Sequence, residues 1–371
     1  MKIIIAPDSF KESLSAPEVA ASIHAGFRQI FKEATYELIP VGDGGEGTLA
    51  ILAKAHQAEM KAASVQGPFG EKIEAKYALT DKMAFIEMAE VCGLHLVPED
   101  KRNPLKVSSF GVGELIIRAA ESGVEEILIG IGGSASNDGG IGMAQGVGYR
   151  FLDAEGNEVP AIGENLDKIV QMDASQVPAF LENVKIRVIS DVENPLCGKN
   201  GATAIFGPQK GLLSSEIEKV DGQLAAFFKR HFGHVPEEPG SGAGGGMGAG
   251  LLMFLSAELN PGIEFVLERL EMRKACADAD LIIVGEGRMD GQTAQGKAPL
   301  GVAKYAPQGV PVIAICGSVT EDAKELYTKG ITAIFPSIGR VATLSETLSE
   351  AANNLERTAR NVAAVWKGGD K

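Results

Sequence analysis

The chain runs to 371 residues, about 2.5 times the ~150 of an average domain, so two domains are expected. Its 45% hydrophobic content excludes a disordered or fibrous chain, and no apolar run reaches the ~18 residues of a membrane-spanning helix. A net charge of −14 would be repelled by nucleic acid and by anionic membranes, which argues against both as partners.

One pattern recurs along the chain. A short β-branched apolar run ends abruptly in Gly, Asp, Asn or Ser. The first instance is Lys2–Ala6 before Pro7-Asp8-Ser9, and the next is Glu37–Val41 before Gly42-Asp43-Gly44-Gly45. Met1-Lys-Ile-Ile-Ile-Ala-Pro-Asp8 turns polar too early for a secretory signal, so a cytoplasmic location is expected. Between these runs, Ser15-Ala-Pro-Glu18 has capping-box spacing, and Val19, Ile23, Phe27 and Ile30 follow at helical intervals. From Ala62 to Glu90 the texture changes. Gln66-Gly-Pro-Phe-Gly70 is a turn cluster, and Lys72–Leu79 and Met83–Met88 flank a second turn, which predicts antiparallel β structure. Leu115, Ile116, Ala119 and Ala120 form a helical stripe before the run Ile127–Ile131.

Later apolar runs are Ile186–Ile189, Leu281–Val284, Val312–Ile315 and Thr332–Phe335. Runs without polar alternation suit strands buried on both faces of a parallel sheet, and helices between them indicate an α/β fold. Four widely spaced cysteines (Cys92, Cys197, Cys276, Cys316) read as reduced packing thiols.

Ligands of open α/β sheets bind beyond the carboxyl ends of the strands. Asp8, Ser9, Lys11, Asp43, Asp138, Asp191, Asn194 and Glu286 all fall there. Any one of them could be a turn or cap residue; their accumulation at one kind of strand end is the signal. Carboxylates gathered together repel unless a cation or basic group joins them. Lys11, Arg288, Lys297 or Mg²⁺ would serve.

Two glycine-rich segments, Gly130–Gly140 and Gly242–Gly250, each follow or open a regular element. They are expected to present backbone amides to phosphate oxygens. Gly291-Gln-Thr-Ala-Gln-Gly-Lys-Ala298 imitates a P-loop, but it is separated from its strand and has Ala298 where Ser or Thr is needed. Only Lys297 is retained as a phosphate or substrate contact. Gly130-x-Gly132-x-x-Ala135 with Asp153 imitates a dinucleotide fingerprint, which keeps an NAD-dependent dehydrogenase as an alternative. A non-catalytic nucleotide-binding regulator is the other.

Five ordered motifs carry a family likeness: Ile5–Ser15, Val41–Thr48, Gly130–Gly140, Phe206-Gly-Pro-Gln-Lys-Gly211 and Gly285-Glu-Gly-Arg-Met-Asp290. Together they resemble the bacterial glycerate kinase family of type 1, the glycerate 2-kinase-like group, from residue 1 to about residue 365. Ser136 and Met289 are mild departures. The resemblance implies ATP-dependent phosphorylation of D-glycerate with Mg²⁺. It also implies two α/β domains, one flavodoxin-like with a parallel sheet and one a mixed α/β insertion, with the active site in the cleft between them. The expected domains are 1–65 with 280–371, and 66–279.

Within this reading, Gly132, Gly133, Ser134, Asn137, Asp138, Gly244, Gly245 and Gly246 hold the nucleotide. Asp191, with Asn194 close by, binds the metal or orients the acceptor hydroxyl, and Asp8 and Asp43 stand as alternatives. Lys297 belongs to the catalytic group. Ser9, Lys11, Glu286, Arg288 and Asp290 contact glycerate, and Arg288 is the better carboxylate anchor because a guanidinium binds it bidentately. The 2-position of glycerate is favoured by resemblance alone, and a homo-oligomer is compatible with the sequence.

Overall fold

A computed structural model describes residues 1–45 and 47–369, and the chain divides into two compact units. Met1–Asp43 with Ile263–Lys371 form the first; Gly44–Gly262 form the second.

The first unit is built on five parallel strands. In spatial order they are Ala333–Pro336, Val312–Cys316, Leu281–Gly285, Lys2–Pro7 and Thr35–Leu38. The apolar runs sort by parity. Ile3, Ile5, Leu281 and Ile283 pack under the helices Ala16–Arg28 and Ala351–Gly369. Ile4, Ala6, Ile282 and Val284 face Leu267, Met272 and Val302 on the other side. This two-sided burial is why the strands show no polar alternation. Ser15 donates its N–H to Glu18 Oε2 (2.8 Å), as the capping-box spacing requires.

In chain order the sheet reads second, first, third, fourth, fifth, which is the flavodoxin-like doubly wound arrangement. Its switch point lies between Lys2–Pro7 and Leu281–Gly285. The second strand begins earlier than its apolar run suggested, at Thr35. Beyond Leu38 the ladder continues irregularly past Pro40, through Ile39 N–H to Ile5 O and Val41 N–H to Pro7 O (both 2.9 Å).

The second unit holds a six-stranded mixed sheet. Glu258–Pro261, Lys185–Ser190, Glu126–Gly130 and Met83–Glu87 run parallel; Lys72–Leu79 and Glu59–Gln66 complete it as an antiparallel hairpin. Gly67 donates to Glu71 O (2.6 Å) to close that hairpin, and Gly70 sits at φ +90°. Helix Phe110–Glu121 buries Val112, Leu115, Ile116 and Ala119 in this core, and Phe227, Phe228, Met247 and Phe254 join it. Because Glu59–Gln66 pairs with Lys72–Leu79, the second unit begins before residue 66, and because Leu267, Met272 and Cys276 pack into the first unit's core, it ends before residue 279. All four cysteines are free thiols. No helix among the described residues is long and apolar enough to cross a membrane.

Candidate functional site

The first unit places its polar strand ends at the switch point. Asp8 follows Pro7, donates its N–H to Gly285 O (2.8 Å), and accepts the Ser9 N–H at Oδ1 (2.6 Å). Glu286 follows Gly285 on the neighbouring strand and is buried. Its Oε1 accepts the Thr293 hydroxyl, while Thr293 Oγ1 accepts the Asp290 N–H (3.1 Å). Gly287 lets the two loops meet, since a Cβ there would lie 3.3 Å from Phe10 Cα and 3.5 Å from Lys11 N.

The charges of these groups act on one another. Burial, reinforced by the nearby Asp43 and Glu286 carboxylates, pushes Asp8 up to about 7 against the pull of the Ser9 N–H and Lys11. Burial likewise pushes Glu286 up to about 7, with Asp290 and Asp43 adding to it and Thr293 and Lys297 opposing it. Asp8, Asp43, Glu286, Asp290, Lys11 and Lys297 therefore share one field. Arg288 is exposed, with Nε 3.6 Å from Asp290 Oδ2. Its strand, Arg288–Met289, is pinned by parallel pairing to Ser318–Val319. The P-loop look-alike folds as a 3₁₀ turn, Thr293–Gln295, ahead of a short helix, and its threonine serves Glu286.

The second unit presents a different constellation. Gly130 lies opposite Ile189 in the sheet, so the segments after those residues emerge side by side. They line a cleft of about 190 Å³ with Gly132, Gly133, Ser134, Asp191, Lys210 and Gly244 around it. Asp191 is exposed at this cleft. Asn194 Nδ2 donates to Asn200 O (2.8 Å), and Asn194 O accepts the Gly242 N–H (2.9 Å), tying the Asp191 loop to the second glycine segment.

The rest of the nucleotide set lies behind this surface. Asp138 is fully buried; its Oδ2 accepts the Ser109 hydroxyl (2.6 Å), its Oδ1 accepts the Gly140 N–H (3.0 Å), and burial raises its pKa. Asn137 is equally buried and donates to Thr203 Oγ1 (3.0 Å). Gly244, Gly245 and Gly246 have φ of 65°, 72° and 87°. A Cβ on Gly245 would lie 2.1 Å from Ser136 O, and one on Gly246 2.8 Å from Gly139 Cα. These two glycines exist so that one loop's backbone can lie on the other's, and only Gly244 reaches the cleft. Asp153, which the dinucleotide pattern would assign to a ribose, accepts the N–H groups of Glu155 (3.0 Å) and Asn157 (2.8 Å) in its own turn.

Two residues escaped the sequence reading. Thr293 gives no sign in sequence that it serves Glu286, and Lys210, inside the Phe206–Gly211 motif, is a buried lysine beside the cleft.

The glycerate kinase family model matches residues 3–367. The chain belongs to the glycerate kinase family. Family relatives include a glycerate kinase of Halalkalibacterium halodurans, 47% identical across 98% of this chain and 97% of that protein. A glycerate 2-kinase of Escherichia coli is 48% identical across 98% of each. The fold agrees with the crystal structure of a candidate glycerate kinase 2 from Salmonella typhimurium LT2. That chain is 47% identical, with a TM-score of 0.88 over 100% of this chain and 99% of the other.

Proposed function

We propose that this protein transfers the γ-phosphoryl group of ATP to the 2-hydroxyl of D-glycerate, giving 2-phosphoglycerate and ADP. The observation that carries this reading is the carboxyl cluster at the switch point, with Asp8 and Glu286 both raised to about 7 and with Lys11, Arg288 and Lys297 nearby. A small hydroxy acid needs such a set: cations for its carboxylate, and a carboxylate near neutrality to take a proton from its hydroxyl. Arg288, Lys11 and Lys297 hold the glycerate carboxylate. Asp8 accepts the hydroxyl proton as the oxygen bonds to the γ-phosphorus and the bond to the ADP oxygen breaks. Phosphoryl transfer asks little else beyond positioning and charge neutralisation.

The glycine-lined cleft of the second unit is assigned to the nucleotide phosphates, through the backbone of Gly132, Gly133, Ser134 and Gly244. No group of three or more His, Cys, Asp or Glu side chains among the described residues forms a metal cage. Mg²⁺ keeps waters and shares its ligands with phosphates, and Asp191 and Asn194 would be its protein donors. When bound, the ion neutralises phosphate charge. The likeness to the E. coli glycerate 2-kinase supports the 2-position.

Phosphorus NMR after incubation with Mg·ATP and D-glycerate tests the proposal: 2-phosphoglycerate and ADP should appear in equal amounts. Formation of 3-phosphoglycerate alone would overturn the regiochemistry, and ADP without phosphoglycerate would overturn the acceptor. Asp191→Asn should lower turnover by orders of magnitude.

A further inference from the structure

Lys210 is only 3% exposed, an unusual setting for a lysine. It closes the 3₁₀ turn Pro208–Lys210, and Gly211 follows at φ +96°, where a Cβ would lie 2.3 Å from Arg102 O. The chain is thus bent sharply to carry this side chain inward. Nζ donates to Ser134 Oγ and to Ser136 O, both at 2.8 Å. These acceptors belong to the loop that follows strand Glu126–Gly130, and Ser134 and Lys210 both line the 190 Å³ cleft. An ammonium has three donors, and among the described residues only those two have acceptors. Among the described residues no carboxylate lies within ion-pair distance of it. A buried charge is costly unless something pairs with it. The titratable groups around it are the Cys92 thiol and Asp138, with Asp191 on the cleft.

We infer that Lys210 is a ligand of the nucleotide's phosphate chain, its remaining N–H donating to a phosphate oxygen while the other two hold the Ser134–Ser136 backbone in place to receive it. This rests on the assignment of the cleft to nucleotide phosphates and names the side chain that supplies its charge. Burial lowers the ammonium to about 8, against the pull of Cys92 and Asp138. A bound phosphate stabilises the charged form, so affinity is full below that value and falls as pH rises above it.

Isothermal titration of wild type, Lys210→Met and Lys210→Arg with ATP, inorganic triphosphate and adenosine tests the inference. Lys210→Met should weaken ATP and triphosphate by roughly tenfold to a hundredfold, the span of one charge-assisted hydrogen bond, and leave adenosine unchanged. Wild-type affinity for triphosphate should drop between pH 7 and 9.5, and Lys210→Arg should show no such drop. The inference is overturned if Lys210→Met binds ATP as wild type does, or loses adenosine in parallel, which would mark a merely structural lysine. If Lys210→Met fails to fold, a flat wild-type pH profile overturns it equally. Loss of triphosphate binding in the variant, from a wild type that makes no phosphoglycerate, would sink the kinase reading and leave this one standing.

Discussion

Replacing Asp8 by Asn should make the protein more stable and inactive at once, and the size of the gain should depend on pH. The Asp8 carboxyl is pushed from 3.8 to about 7 by burial and by Asp43 and Glu286. The folded state therefore holds this proton more tightly than the unfolded state does. Below pH ~4 both states are protonated and Asp8 contributes nothing. As pH rises toward 7 the unfolded chain loses its proton freely while the folded chain resists, so stability falls; above 7 the penalty is fully present. At about 1.4 kcal/mol per pH unit the ceiling is about 4 kcal/mol, which the carboxyl's partial contact with solvent reduces to on the order of 2 kcal/mol. Asn keeps an oxygen for the Ser9 N–H and carries no charge. Urea unfolding of wild type and Asp8→Asn from pH 4 to 8.5 should give curves that coincide at the acid end and separate by about 2 kcal/mol above pH 7. Wild-type turnover should rise through the same interval as Asp8 ionises, and the variant should lose orders of magnitude. A variant no more stable than wild type at pH 8, or a difference constant across the range, would refute the reasoning.

Thr293→Val removes the hydroxyl that Glu286 accepts, so the Glu286 carboxyl should titrate higher by roughly one pH unit, read by carboxyl carbon NMR across pH; Thr293→Ser should leave that titration in place. Arg288→Lys should raise KM for glycerate by at least about tenfold with KM for ATP little changed, and an equal loss of both would remove its role as carboxylate anchor. Gly245→Ala places a Cβ on Ser136 O at positive φ and should cost about 3–5 kcal/mol, read as lost soluble yield or a collapsed melting temperature. The same change at Gly233, also at positive φ but with nothing within 4 Å, should cost only about 1 kcal/mol.

The sequence made most of the first unit's scaffold legible, because Ile3–Ile5 and Leu281–Val284 are buried on both faces and carry that fact in their composition. Thr35–Leu38 was less clear. Its residues are only partly buried, and Pro40 disrupts the run that looked most like the strand. Asp8 and Glu286 were legible as acids at strand ends because each directly follows such a run. Asn137, Asp138, Gly245 and Gly246 show the limit. A glycine records that something presses close to the chain, yet it does not record whether that neighbour is a phosphate or another peptide. Likewise, a lysine reads as a surface charge until burial is known, so the Phe206–Gly211 motif marked Lys210 without showing that it points inward. Thr293 was hidden because its partner is reached by a turn, not by a regular repeat.

The first and last helices of the chain pack so closely that a Cβ on Gly26 would lie 2.3 Å from Glu356 O and 2.7 Å from Ala359 Cβ. During synthesis, Ala16–Arg28 leaves the ribosome hundreds of residues before Ala351–Gly369 can cover it, and four of the five strands of its sheet are also still to come. The inserted unit can finish folding while its host waits, its apolar helix face uncovered. Nascent chains cut short before Ala351 should consequently bind holdase chaperones through their oldest segment rather than their newest.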